Sequence, residues 1–475
     1  MSRTRLAALL LLSPCLALAG PTFVNVAGAA GVAAIGSGND CAFLDYDRDG
    51  FLDVYFVDHP WGGGGFYRND GDGTFTSVSV GVSGVGNLIA PADFDHDGWT
   101  DLLMSFQGNV KLYRNTHGGF ADVTAASGVT HTDMYFGVCW GDYDGDAYPD
   151  LFAATTPVLY RNNGDCTFTD VTAAAGIAFP PEQNDARFLD YDRDGRDDIF
   201  IAPYQRNCML YRNNGDGSFT DVSAAAGVDV FTNDPRLAVA DVNNDAHPDV
   251  YVYLGASDNM LFVSNGDGTF TEAAVAWGVR TTANWGHYDC AFLDCDCDGD
   301  ADLFADGGRY GGNNFFRNDG DHFVDVTAES GLSNTDDAHA IAVGDYDNDG
   351  DPDIYEVCFT GYGSPANKLY RNDYGPPPPL YAFPLGPGWN MVGYAREGCA
   401  PTLLADCAIA FGGARYGWQS AIDAGLVHTW LFYYEPLLGY RVLAAEAPRD
   451  DDAFRCGRGY WLLAYVDGLS LLIPR

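Results

Sequence analysis

Basic residues are scarce in this chain. Only 25 Lys and Arg stand against 66 Asp and Glu, giving a formal charge of −41 over 475 residues. That imbalance disfavours nucleic acid as a partner, because a phosphate-binding surface needs a basic footprint, and it disfavours anionic membrane surfaces. Long apolar runs are also missing. Leu6 to Leu18 is too short to cross a bilayer, and no other stretch is long enough, so no transmembrane segment is expected. With Arg3 and Arg5 before it and Ala17-Leu18-Ala19 at its end, this run reads as a secretory signal peptide over 1–19. The expected location is therefore extracellular, secreted or at the cell surface.

Catalytic motifs are absent too. There is no G-x-S-x-G, no H-E-x-x-H and no phosphate-binding glycine loop. The nine histidines are scattered, and His287 and His339, with Asp289 or Asp337, make the single acid–base candidate near a channel. No enzymatic activity is expected. The alternative is an extracellular polysaccharide lyase or hydrolase.

Cysteine is modest. Eleven remain after the signal, an odd number. Cys41 and Cys290 sit at one repeat position and read as small core residues, whereas Cys295–Cys297 and Cys399–Cys407 are possible bridges.

Acid is abundant, and it is patterned. The stretch Asp45-Tyr46-Asp47-Arg48-Asp49-Gly50-Phe51-Leu52-Asp53 follows D-x-D-x-D-G-x-x-D. Alternate carboxylates converge only if the backbone curls tightly, and Gly at position six permits the turn. At about 5 Å and an effective dielectric of about 20, each like-charge pair costs roughly 3 kcal/mol. A hard cation with oxygen ligands relieves that repulsion, and Ca²⁺ is the natural one.

The stretch recurs seven times, with starts at Asp45, Asp93, Asp142, Asp190, Asp241, Asp294 and Asp345, spaced by 48 to 53 residues. A fixed period of this size signals a repeat architecture. The expected ligand sets are Asp45, Asp47, Asp49 and Asp53; Asp93, Asp95, Asp97 and Asp101; and Asp142, Asp144, Asp146 and Asp150. They continue with Asp190, Asp192, Asp194 and Asp198; Asp241, Asn243, Asp245 and Asp249; Asp294, Asp296, Asp298 and Asp302; and Asp345, Asp347, Asp349 and Asp353. Up to seven Ca²⁺ ions follow. The fifth loop should bind most weakly, because Asn243 removes a charge and Ala246 replaces Gly; Ala147 makes the same replacement in the third.

The flanks lack helical spacing. Runs such as Val54-Tyr55-Phe56-Val57 and Val250-Tyr251-Val252-Tyr253 suit buried strands. A second motif follows each loop, clearest as LYRNNGDCTFTDVTAAAGI from Leu159 and LYRNNGDGSFTDVSAAAGV from Leu210. Its Asn-Gly tetrad between alternating segments marks a hairpin. Each period then holds four antiparallel strands, and seven such periods make a β-propeller. The seventh copy stops after Leu369-Tyr370-Arg371-Asn372, while Thr22-Phe23-Val24-Asn25-Val26 supplies its missing strand. The N-terminal strand should therefore close the ring and remove its free edges.

These loops and spacers resemble the FG-GAP or VCBS-type repeats of integrin α-subunits, cartilage acidic protein and secreted bacterial proteins, across roughly residues 22 to 373. The resemblance implies a seven-bladed propeller with calcium between first and second strands. The family's Phe-Gly element is clear only at Phe136-Gly137.

The expected fold is all-β, with the propeller over 20–374, a Pro-rich linker over 375–379 and a small β-sandwich-like domain over 380–475. The expected role is a calcium-binding adhesion module, a monomeric propeller holding a protein or glycan ligand. Variable loops opposite the acidic face, such as those at Trp61, His131–Tyr135, Asn284–Tyr288 and Tyr310, are the candidate contacts.

Overall fold

The computed structural model describes residues 22–373, apart from short loops at 35–37, 59–63, 83–84, 107–108, 131–136, 181–183, 255–257, 282–288, 308–311, 335 and 360–365, together with strands between 381 and 473. The signal segment, the Pro-rich linker, Phe136, His287, Cys399, Cys407 and most of the variable loops lie outside the described residues. Among the described residues, no helix is long and apolar enough to cross a membrane.

Seven four-stranded antiparallel sheets form the blades of a propeller. Blade one is Gly38–Leu44, Asp53–Asp58, Gly65–Asn69 and Phe75–Val78, paired in that order. Blades two to six repeat the pattern from Leu88, Val138, Asn184, Pro235 and Cys290. Every acidic loop connects a first strand to a second, as the sequence implied.

Blade seven is built from both ends of the array. Ala338–Gly344, Asp353–Cys358 and Lys368–Asn372 are joined on the outer edge by Phe23–Asn25. The register runs Phe23 to Asn372, Val24 to Arg371 and Asn25 to Tyr370. The split repeat thus closes the ring through backbone pairing, and the third strand of blade seven is paired on both sides.

The apolar residues collect between blades. Seven buried clusters occupy the seven gaps; one joins Tyr55 and Phe66 of blade one to Leu102 and Met104 of blade two. The gap from blade seven to blade one is filled in the same way by Tyr355, Val357, Val54 and Phe56. Each second strand is therefore buried on both faces, which explains its continuous apolar run.

A feature the sequence reading did not separate from the strands is one helical turn after the outer strand of every blade but the first. Thr172–Ala175 and Ser223–Ala226 are examples, each closed by a left-handed glycine. The glycine also permits close blade contact. A Cβ at Gly331 would stand 2.4 Å from the Phe23 carbonyl oxygen of the closing strand.

Beyond the ring, Tyr381–Leu385, Ala408–Phe411, Ala414–Gly417 and Leu469–Ile473 form one four-stranded antiparallel sheet. Gly388–Tyr394, Val427–Glu435, Gly439–Ala444 and Arg458–Ala464 form another. The all-β expectation therefore extends to the C-terminal region.

Candidate metal centre

Each acidic loop is held by its own carboxylates. The first Asp accepts two backbone N–H bonds from positions five and six. In loop one these run from Asp49 at 3.1 Å and Gly50 at 3.0 Å, and the pair recurs in all seven loops. Position six is left-handed throughout, including Ala147 at φ 75° and Ala246 at φ 68°. The strain expected at those two alanines is therefore present.

Position four is left-handed as well, which the sequence reading missed. Arg48, His96, Arg193, Asn244, Cys297 and Asn348 all have φ between 54° and 58°. The side chains of Arg48, His96, Asn244, Cys297 and Asn348 leave the loop and reach the next one. Arg48 lies 5.6 Å over the Trp99 ring, and Asn244 donates to Asp300 at 2.5 Å. Cys297 donates to Asp351 at 3.3 Å. The Cys295 thiol instead donates to Asp302 at 2.6 Å. Both cysteines are free, so they form no bridge; Cys41 and Cys290 are free and buried in the core.

The Asp at position nine has a structural task that spacing alone did not reveal. It is fully buried and opens the second strand. Its two oxygens accept backbone N–H groups from position two and from the Asn of the Tyr-Arg-Asn motif. For Asp53 the donors are Tyr46 at 3.0 Å and Asn69 at 2.8 Å. All seven repeats keep this pair, with Ser264 as the second donor in blade five. Burial pushes Asp53, Asp101, Asp198, Asp249 and Asp302 up to about 7, and Asp150 and Asp353 up to about 8.

The Asn itself ties neighbouring blades. Its amide donates to the position-two carbonyl of the preceding loop: Asn115 to Tyr46 at 2.8 Å, Asn162 to Phe94 at 2.7 Å and Asn213 to Tyr143 at 2.6 Å. Asn318, Asn372 and Asn69 continue the series, the last reaching Tyr346 across the ring closure at 2.8 Å. Ser264 is too short to make that tie between blades five and four.

Position three remains. Side-chain oxygens of Asp47, Asp192, Asp296 and Asp347 are buried without a hydrogen-bond partner, as is one oxygen of Asp194. A carboxylate oxygen can only accept, so a buried orphan of this kind calls for a cation or a donor. Burial, then the neighbouring acids of the loop, push Asp296 up to about 7 and Asp347 up to about 6.

Ligand-distance clusters form from Asp45, Asp47 and Asp53; Asp93, Asp95 and Asp101; and Asp294, Asp296 and Asp302. In loops three and four they form from positions one, three and five: Asp142, Asp144 and Asp146, and Asp190, Asp192 and Asp194. In loop five, Asn243 donates its amide to Asp245 at 3.0 Å, so that position-three side chain is already engaged. The donor set is all oxygen and anionic, which fits a hard divalent cation.

The arginine of the Tyr-Arg-Asn motif divides the loops. In loop two, Arg114 pairs with Asp95 and, at 3.1 Å, with Asp97. In loop four, Arg212 pairs with Asp192 at 2.6 Å and Asp194 at 3.1 Å, and Arg196 joins Asp194. In blades one, six and seven the arginine turns to the hairpin, as Arg68 does to Asp70 at 2.8 Å.

Seven blades, each with a carboxylate cluster at the connection between first and second strands, define a class: acidic-loop repeat propellers. The FG-GAP-like repeat matches residues 45–104, 93–153, 190–252, 241–305 and 306–356, and the chain belongs to that family. Cartilage acidic protein 1 of Homo sapiens is 28% identical over 155 residues, 32% of this chain and 23% of that protein. The Xenopus tropicalis protein of the same name is 26% identical over 156 residues, 32% of this chain and 24% of that one. The chain thus spans about a quarter of the length of these curated relatives.

Among solved structures, BBS1N in complex with ARL6DN is similar at a TM-score of 0.48 and 11% identity, covering 74% of this chain and 96% of that one. An Agrocybe aegerita lectin, described as recognising non-reducing terminal N-acetylglucosamine, is similar at a TM-score of 0.41 and 21% identity, covering 60% and 78%.

Proposed function

We propose that the protein is an exported propeller whose acidic loops hold calcium and whose opposite face binds a protein or glycan ligand without turning it over. The orphan oxygens at Asp47, Asp192, Asp296 and Asp347 carry the metal part of this reading. Positions one, three, five and nine of each loop would hold the ion, with Asn243 standing in for one carboxylate. When bound, calcium supplies the positive charge that lets several adjacent buried carboxylates stay ionised. The protein's own groups pre-form the site. Backbone N–H bonds to positions one and nine fix the loop, leaving position three poised.

Stabilisation follows from linkage. At about tenfold excess over Kd, one site adds roughly 1.4 kcal/mol, and several together rival the ~5–15 kcal/mol of a whole domain. Calorimetric melting with EDTA and with added calcium tests the metal part, and a drop of many degrees in EDTA is the expected result. A glycan and matrix-protein array at fixed calcium then tests binding. A polysaccharide turnover screen tests the enzyme alternative, and turnover there overturns the binding-only reading.

A further inference from the structure

The centre of the ring contains a cavity of about 450 Å³, entered among the starts of the first strands, at the end away from the acidic loops. Four carboxylates, two guanidinium groups and an imidazole stand in its wall: Asp40, Asp185, Asp234, Asp289, Arg187, Arg236 and His339. None belongs to the acidic loops.

Three of the carboxylates act first as clasps between blades. Asp40 accepts N–H bonds from Cys41 at 2.8 Å and from Ile89 of blade two at 2.7 Å. Asp289 does the same for Cys290 at 2.9 Å and Ile341 of blade seven at 3.0 Å. Asp185 accepts from Ala186 and from Leu237 of blade five, both at 2.9 Å. Asp185 is also paired with Arg187 at 2.5 Å, and Asp234 stands 3.8 Å from Arg236. Those two pairs balance their own charge. Among the described residues Asp40 and Asp289, on blades one and six, have no ion-pair partner within 4.0 Å; Arg187 acts on both, and Arg236 on Asp289, only at longer range. Burial pushes Asp40 up to about 7 and Asp289 up to about 6, while burial and then Arg236 hold His339 down to about 4.

The opposite wall offers donors. Among the described residues Arg187, on blade four, bonds through Nη1 alone, to Asp185 and to the Ala186 carbonyl at 2.8 Å. Its Nε and Nη2 groups keep their protons, and the side chain is about 35% exposed. A guanidinium edge of this kind matches a carboxylate in bidentate fashion. An ammonium suits the other wall, where the half-buried Asp40 and Asp289 have no ion pair among the described residues.

We propose that this cavity is a binding site for a small zwitterion of amino-acid or dipeptide size, its carboxylate on Arg187 and its ammonium toward Asp40 and Asp289. A neutral sugar uses neither wall fully, and a simple anion leaves the acid wall uncompensated. The site is independent of the metal loops, so its fate does not depend on theirs.

Titration calorimetry on the full chain in saturating calcium, with free amino acids and dipeptides, tests it. At least one unblocked compound should bind, and its N-acetylated and carboxyl-amidated forms should each lose about tenfold or more in affinity. Arg187→Met should abolish that discrimination against the amide. Arg187→Lys, which keeps the charge beside Asp185, should retain binding while weakening it. Absence of heat from every unblocked compound at millimolar concentration, or equal binding of the blocked forms, overturns the proposal.

Discussion

Loops one and two share their spacing, their left-handed residues and their buried position-nine Asp, yet their arginines differ. Arg68 turns outward to Asp70, whereas Arg114 turns inward to Asp95 and Asp97. The residue after the motif Asn differs between the two: blade one offers Asp70, and blade two has Thr116, which bonds its hairpin at Gly119 instead. Loop two therefore carries a built-in counter-charge, and loop one leaves an oxygen of Asp47 orphaned. Near-identical acidic motifs thus differ in what they demand of a metal, and the difference is set outside the motif.

The sharpest way to break this comparison lies within loop one. Asp53→Ala strands two buried N–H groups, those of Tyr46 and Asn69, and should cost about 3 kcal/mol already in EDTA, and more in calcium, where a ligand is lost as well. Asp47→Ala removes only an unpartnered acid, so it should be neutral or stabilising in EDTA and destabilising in calcium. Denaturant midpoints of both variants under both conditions check this. Equal behaviour of the two sinks the division between scaffold and ligand carboxylates.

Next in size is the seam between blades. Asn213→Ala removes the tie to Tyr143 and should cost about 1–3 kcal/mol. Ser264→Asn should supply the missing tie between blades five and four and gain up to about 1 kcal/mol. Melting curves of the pair decide whether the ties behave as a ring.

A pH series separates proton from metal. The position-nine acids ordinarily ionise near about 4 and are pushed to about 7 or 8 by burial. Between those values the folded state holds protons that the unfolded chain has released. Metal-free stability should therefore fall as pH rises from about 5 to about 8. Calcium takes the place of the proton and should flatten that slope. An EDTA midpoint that rises over this window contradicts the assignment.

The smallest effect is the arginine switch itself. Thr116→Asp should draw Arg114 outward and raise calcium affinity at loop two severalfold, while Asp70→Thr should lower it at loop one. Calcium titrations of the two variants read the change, and movement in the same direction in both removes the hairpin residue from the account.

How much of this was legible in the sequence follows from what lies within one repeat. The period, the alternate carboxylates, the turn at Gly50 and the split blade at Phe23–Asn25 are local or repeated, and the structure carries all of them. The strain at Ala147 and Ala246 was readable because one residue type broke a pattern. The Asn ties, the position-four reach to the next loop and the Asp40, Asp185 and Asp289 clasps were not readable, because each joins two blades, as in the bonds spanning 69, 56 and 49 residues at Asn115, Asn244 and Asp40. Position nine read as a ligand alone, since its bonds to two backbone N–H groups need the third strand beside it.

The most direct test of the metal assignment is an anomalous difference map from crystals grown in calcium. The account predicts peaks within coordination distance of Asp47, Asp296 and Asp347, with the weakest density at Asn243. A map with no peak at any acidic loop, from protein that melts at the same temperature in EDTA, contradicts it.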